Sequence, residues 1–201
     1  MHLFEIYIKT KIIFYGIILQ IDILNRRNAM NITIEMASSI NGLIADEKGN
    51  EEFLSNRNYQ IMLDFLKDYD CLVWGSTTFK NVISWGEEYI NDLKDTTLII
   101  CSKEQQKSNY NNVIYCNSLE DFYNICQERN LNKIFISGGA HINTLFMKNN
   151  LVDKIIINYN PYVLNKGINL FEGEFFEKEL ALDKVIQEKE GIVQVWYNVK
   201  R

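Results

Sequence analysis

From residue 30 onward the chain alternates short apolar runs with longer stretches in which apolar residues recur every three or four positions. Side chains two apart share one face of a strand, and side chains three or four apart share one face of a helix. Residues 31–37 (NITIEMA) have the alternation and β-branching of a strand. Residues 38–52, with Asn41-Gly42 and Lys48-Gly49-Asn50, read as a loop. Residues 57–69 place Tyr59, Met62, Leu63 and Leu66 on one helix face. Strands are predicted at 70–75, 96–102, 112–117, 133–137 and 152–160, with helices from near Thr77, at 118–130 and at 140–150. Ser118 followed by Asp121 approximates a capping box, and Leu119, Phe122, Ile125 and Cys126 form that helix's apolar face. Residues 180–189 and 192–199 read as a closing hairpin that turns at Glu190-Gly191. Strands alternating with helices predict an α/β fold: a mainly parallel central sheet covered on both faces, with an antiparallel C-terminal hairpin at one edge.

Composition narrows the function classes. The chain has 201 residues, 47% hydrophobic and 23% charged, which suits one domain plus a short extension. A net charge of −5 and the lack of a basic stripe give no electrostatic case for nucleic acid. Four cysteines without a CxxC spacing, and only two histidines, predict no metal site and suit a reducing cytoplasm. Residues 1–29 do not continue the pattern. Their uncharged stretch from Ile12 to Ile21 is too short to span a bilayer, and no small-residue cleavage site follows it. The expectation is a non-native or dispensable extension over 1–29, with the domain at 30–201; a peripheral membrane anchor is the alternative there.

Two adjacent glycines, Gly138-Gly139, end the strand at 133–137 and open a helix. In open α/β sheets ligands bind at the carboxyl ends of strands. Free N–H groups at a helix start favour an anion, and glycine lets it come close. The bland alternative is a tight turn. Gly75, Ser76, Thr77 and Thr78 repeat the pattern, with Thr77 or Thr78 placed to cap the helix. Ser102 and Lys103 leave a third strand end. Three such ends suggest a dinucleotide across the sheet edge, although the long G-x-G-x-x-G fingerprint is absent.

With these segments in order (MASSINGLIA, DCLVWGSTTF and FISGGAHINTLFMKNNLVDKIIINYNPYVLNKGINLF), residues 31–200 resemble the dihydrofolate reductase-like superfamily. The nearest branch is the reductase domain of bifunctional riboflavin-biosynthesis enzymes. The resemblance implies a three-layer sandwich, a homodimer, and NADPH bound in extended form, with NADH as the alternative. It implies that Gly138, Gly139, Ala140, His141 and Ile142 hold the pyrophosphate, and that Gly75, Thr77 and Thr78 form a second phosphate turn. Ser102 and Lys103 then match the adenosine end, and Ala37 a position beside the nicotinamide. Ser76 stands where the family often has an arginine for the 2′-phosphate. Asn41 and Ser137 stand where the riboflavin branch typically has acids, so no catalytic residue is assigned. The expected function is hydride transfer to a small pterin- or pyrimidine-like heterocycle. Asn41 would bond the substrate, Tyr59, Met62 and Leu63 would form an apolar wall, and Trp85 would close the pocket. Alternatives are a non-catalytic nucleotide-binding module of the same fold and a riboflavin-pathway ribosylaminopyrimidine reductase, whose substrate phosphate would call on Arg57 or Lys80.

Overall fold

A computed structural model of the chain describes residues 30–104 and 108–200. The extension expected over residues 1–29 lies outside the described residues. In chain order the strands are β1 (Asn31–Ser39), β2 (Leu43–Ala45), β3 (Cys71–Gly75), β4 (Thr97–Cys101), β5 (Val113–Cys116), β6 (Lys133–Ile136), β7 (Lys154–Asn160), β8 (Ile168–Asn169), β9 (Leu180–Gln187) and β10 (Val193–Val199). The helices are α1 (Asn56–Leu66), α2 (Ser76–Trp85), α3 (Glu87–Asn91), α4 (Leu119–Glu128) and α5 (Ala140–Lys148).

Eight strands form one sheet in the order β5-β4-β3-β6-β1-β7-β10-β9. The first six run parallel, and β10 and β9 close the edge antiparallel, as the hairpin pattern predicts. Parallel strands need crossovers, and each crossover lays a helix on a face of the sheet. Helices α1 and α2 seal one face through Met62, Leu66, Phe79 and Val82 against Leu72, Trp74, Leu98, Ile100 and Phe135. Helices α4 and α5 seal the other through Phe122, Ile125, Cys126, Phe146 and Met147 against Ile32, Ile34, Val73, Ile99, Ile134 and Ile136. The central strands are therefore buried on both sides, which is why they read as near-continuous apolar runs.

The cap at Ser118 is present: the Asp121 N–H donates to Ser118 Oγ at 3.1 Å, and the Asn117 N–H donates to the Asp121 carboxylate at 3.1 Å. Three short elements, β2, β8 and α3, depart from the sequence reading. The 38–52 loop contains β2, paired antiparallel with β8, and α3 follows Gly86. A three-residue strand whose partner lies more than a hundred residues away leaves no periodicity to read. The hairpin turn takes a left-handed Glu190 (φ 63°) followed by Gly191 (φ 74°). Among the described residues no helix is long and apolar enough to cross a membrane.

Candidate functional site

The carboxyl ends of β5, β4, β3, β6 and β1 form the floor of one open cleft of about 1610 Å³. Neighbouring strands lie about 4.8 Å apart, so five adjacent ends span about 19 Å. A single drug-sized ligand occupies roughly 300–1,000 Å³. The cleft therefore has room for a long ligand laid across the sheet edge and a second, smaller one at its end.

The middle of the cleft is built by two helix starts. Helix α2 is capped by Gly75 and α5 by Gly139, neither with a side-chain cap and neither with an acid in its first turn. Helix α4, by contrast, spends a serine cap and two first-turn acids on its own N-terminus. Thr77 and Thr78 thus do not cap α2, contrary to the sequence expectation; the helix begins at Ser76, one residue earlier, and leaves them in its first turn. The two turns are tied together, since the Gly75 N–H donates to the Gly138 carbonyl at 3.0 Å.

The paired glycines divide their labour. Gly138 is buried at φ +88°, a conformation side-chain-bearing residues rarely adopt, and an added Cβ would meet Met36 Cε at 3.1 Å. Gly139 has an ordinary φ of −78° and lines the cleft, and a Cβ there would lie 3.2 Å from Thr78 Oγ1. A Cβ on Gly139 would thus fill the gap between the two helix starts. Uncapped N–H groups at two helix starts, with that gap between them, fit the diphosphate of the dinucleotide that the resemblance implies.

At the β4–β5 end lie Ser102, half-buried, and Lys103, exposed. Glu104 lines the same stretch, and its N–H donates to Ser102 Oγ at 3.3 Å. Cys101 and Cys116 sit side by side with sulfurs 3.4 Å apart. The Cys101 contact and burial push the Cys116 thiol up, so it stays protonated.

The β1 end is a different chemical environment. Tyr59, Met62, Trp74, Trp85 and Tyr89, from α1, β3, α2 and α3, give the cleft an aromatic wall, with Tyr59 and Tyr89 edge to face at 5.0 Å and Trp85 on Tyr89 at 5.7 Å. Burial, ahead of the Asp92 carboxylate it contacts at 3.1 Å, raises the Tyr59 hydroxyl further above the phenol range. The floor holds a residue that sequence reading passed over. Glu35, on β1, is 3% exposed and lines the cleft. Asn158 Nδ2 donates to its Oε1; Gln194 Nε2 donates to Asn158 Oδ1 at 2.8 Å, and Trp196 Nε1 to Gln194 Oε1 at 2.5 Å. The other carboxyl oxygen has no partner among the described residues. Burial pushes the Glu35 carboxyl up to about 8, against the opposing pull of the Asn158 bond. Burial also pushes half-buried Glu51, on the facing loop, up to about 7.

Of the residues singled out from sequence, the cleft brings together all but four, Gly138, Leu63, Asn41 and Arg57. Gly138 lies just behind the wall. Leu63, partly buried on α1, packs against the core beside the cleft. Asn41 faces away: its Nδ2 donates to the Leu164 carbonyl at 2.7 Å, and its Oδ1 accepts from Ser39 Oγ at 2.9 Å. Both its polar ends are used in holding the β1–β2 turn, so neither is available to a ligand. Arg57 points away as well, with Nη2 2.6 Å from Glu188 on the far side of α1.

Comparison with known proteins matches residues 30–194 to the RibD C-terminal domain. YwjB, an uncharacterized protein of Bacillus subtilis, is 28% identical over 155 residues, covering 73% of this chain and 86% of the relative. A solved pyrimidine reductase-like protein from Corynebacterium diphtheriae aligns with a TM-score of 0.68 at 16% identity, covering 89% of this chain and 95% of that one. Dihydrofolate reductase from Schistosoma mansoni aligns with a TM-score of 0.64 at 15% identity, covering 85% and 99%. The fold is thus dihydrofolate reductase-like. The sequence match begins one residue before β1 and runs into β10, taking in every strand end of the cleft, and the chain belongs to the RibD C-terminal domain family.

Proposed function

We propose that this protein is an NAD(P)H-dependent reductase acting on a small planar heterocycle of the pterin or pyrimidine type. The observation that carries this reading is the continuity of the cleft, which joins two uncapped helix starts to an aromatic-walled pocket with a buried carboxyl at its floor. The bound dinucleotide would supply hydride. The N–H groups opening α2 and α5 hold the diphosphate, and Ser102 and Lys103 hold the adenosine end. Ala37, at the end of β1, keeps the floor low where the ring would lie. Tyr59, Met62 and Trp85 exclude water from the substrate. Glu35 holds a proton at neutral pH within the pocket. That last feature favours a reductase over a non-catalytic nucleotide-binding module, because reducing a C=N bond calls for a proton as well as a hydride. A panel of pterins, folates and pyrimidines with NADPH and with NADH, following loss of reduced-cofactor absorbance, tests the reading. No consumption with any of them, in protein that binds NADPH, would assign the chain to the binding module. The homodimer implied by the resemblance is checked by the mass in solution.

Cofactor choice follows from the adenosine end. Ser76 brings no charge, Lys103 is solvent-facing, and Glu104 beside it opposes a phosphate. One exposed ammonium–phosphate contact contributes about 1 kcal/mol, or roughly tenfold. The expected result is an NADPH preference of about tenfold or less that shrinks with added salt. Lys103→Ala should bring the two dissociation constants together, and Ser76→Arg should separate them. A preference above about a hundredfold that Lys103→Ala leaves alone would put the adenosine pocket elsewhere.

A further inference from the structure

We propose that the β1 end of the cleft takes a planar heterocycle that carries no phosphate and turns an edge with one N–H donor and one ring-nitrogen acceptor toward Glu35. This names the hydride acceptor of the reductase reading and rests on it in that respect. The binding claim itself stands on the pocket.

Three observations converge. The walls are aromatic and apolar, with Tyr59, Tyr89 and Trp85 packed edge to face, so the space admits a flat ring. The lining offers two polar groups with capacity to spare: Ser55 Oγ, buried without a partner among the described residues, and the Glu35 carboxyl. Asn58 looks toward the same space, but it is locked to Asn160, donating at 2.8 Å and accepting at 3.2 Å. Glu35 has one oxygen engaged by Asn158 and the other without a partner among the described residues. A carboxylic acid both donates and accepts, which matches the N=C–NH edge of an amino-heterocycle. Leaving such a buried group unmet is costly, so a ligand that meets it is selected over one that does not.

The third observation is the charge balance. Glu35, Glu51 and Glu52 all line this end. The arginine that sequence placed nearby, Arg57, is held by Glu188 through Nη2 at 2.6 Å and Nε at 3.2 Å. Of the lysines on the cleft, Lys103 lies at the far, β4–β5 end, Lys148 is paired with Glu174, and Lys48 and Lys80 are exposed. A substrate phosphate would meet carboxyls without a buried cation to answer it.

The test uses the full chain, saturated with NADP⁺ so that no turnover occurs, and a matched pair of fluorescent probes: 6-hydroxymethylpterin and its monophosphate. The unphosphorylated pterin should bind at least tenfold tighter. Glu35→Leu should weaken pterin binding at least tenfold, while Glu35→Gln, which keeps a donor and an acceptor, stays within a few-fold of wild type. Glu51→Lys, which places a cation on the cleft lining, should narrow the gap between the two probes. Melting curves and NADPH binding of each variant report folding; if Glu35→Leu does not fold, the wild-type and Glu51→Lys comparisons decide. Equal or tighter binding of the phosphate, or no binding of the pterin to protein that binds NADPH, overturns the proposal. Discrimination between the probes in protein that does not bind NADPH supports it and instead removes the reductase reading.

Discussion

Raising the pH from 5 to 8 is expected to remove stability from this protein, through Glu35. An ionised carboxylate is disfavoured at this position, 3% exposed beneath α1 with one amide donor, and the carboxyl rises from 4.5 to about 8. The folded pKa is raised, so the folded state keeps a proton that the unfolded chain has already released. The contribution is therefore fully present below about pH 4.5 and is lost as pH climbs toward 8. At 1.36 kcal/mol per unit, the full loss is on the order of 4–5 kcal/mol, of which roughly 3–4 falls between pH 5 and 8. Tyr69, at the end of α1, faces Glu35 and stays neutral across this window, because burial raises its hydroxyl. Glu51, raised to about 7, tilts the curve the same way and is not removed by a change at Glu35. Urea unfolding midpoints of wild type and Glu35→Gln at pH 5, 6.5 and 8 isolate the group. The two curves should diverge steadily, with Glu35→Gln the more stable at pH 8. Parallel curves would mean that Glu35 ionises freely into the cleft.

Gly139→Val is expected to lower affinity for NADPH at least tenfold, about 1.4 kcal/mol, in a protein that still folds. The backbone there has an ordinary φ of −78°, so a side chain is conformationally allowed. Its Cβ, however, enters the gap 3.2 Å from Thr78 Oγ1, and the valine methyls extend farther into it. Gly138→Ala should do the opposite. A φ of +88° costs an L-residue about 1–2 kcal/mol, and the contact with Met36 Cε at 3.1 Å adds to it. The melting temperature should fall by several degrees for Gly138→Ala and little for Gly139→Val. Cofactor titration and thermal melts on both variants separate a ligand gap from a turn. Unchanged affinity in folded Gly139→Val would reduce the pair to turn-makers.

The order of the eight strands of the main sheet and of the four longer helices was legible because each carries its own period, whereas β2, β8 and α3 are too short to carry one. Alternation and β-branching mark β1, and the spacing of Met62 and Leu66 marks α1. The glycine turns at 75 and 138–139 were legible because glycine at a strand-to-helix junction has few other uses in this fold class. Leu63 and Asn41 show the limit of that reading. Helical spacing places Leu63 beside Met62 but does not say that Met62 both joins the core and reaches the cleft, while Leu63, partly buried, does not reach it. A loop position equivalent to a family acid says nothing about Asn41's own partners, Ser39 beside it and Leu164 on a loop more than a hundred residues away.

Glu35 marks the boundary most clearly. Thr33 and Glu35 alternate with Ile32, Ile34 and Met36, and by period alone they describe a solvent face. Local sequence thus determined which side chains share a face, because that depends only on the backbone period. What covers that face was decided by pairing and packing. The order β6-β1-β7 puts β1 at the centre of the sheet, α1 closes over it, and Asn158, Gln194 and Trp196 arrive from β7 and β10 to form the network that holds the carboxyl. These contacts join residues up to 161 positions apart, from Glu35 to Trp196. The protonation of Glu35 follows from the water they exclude, which no local pattern records.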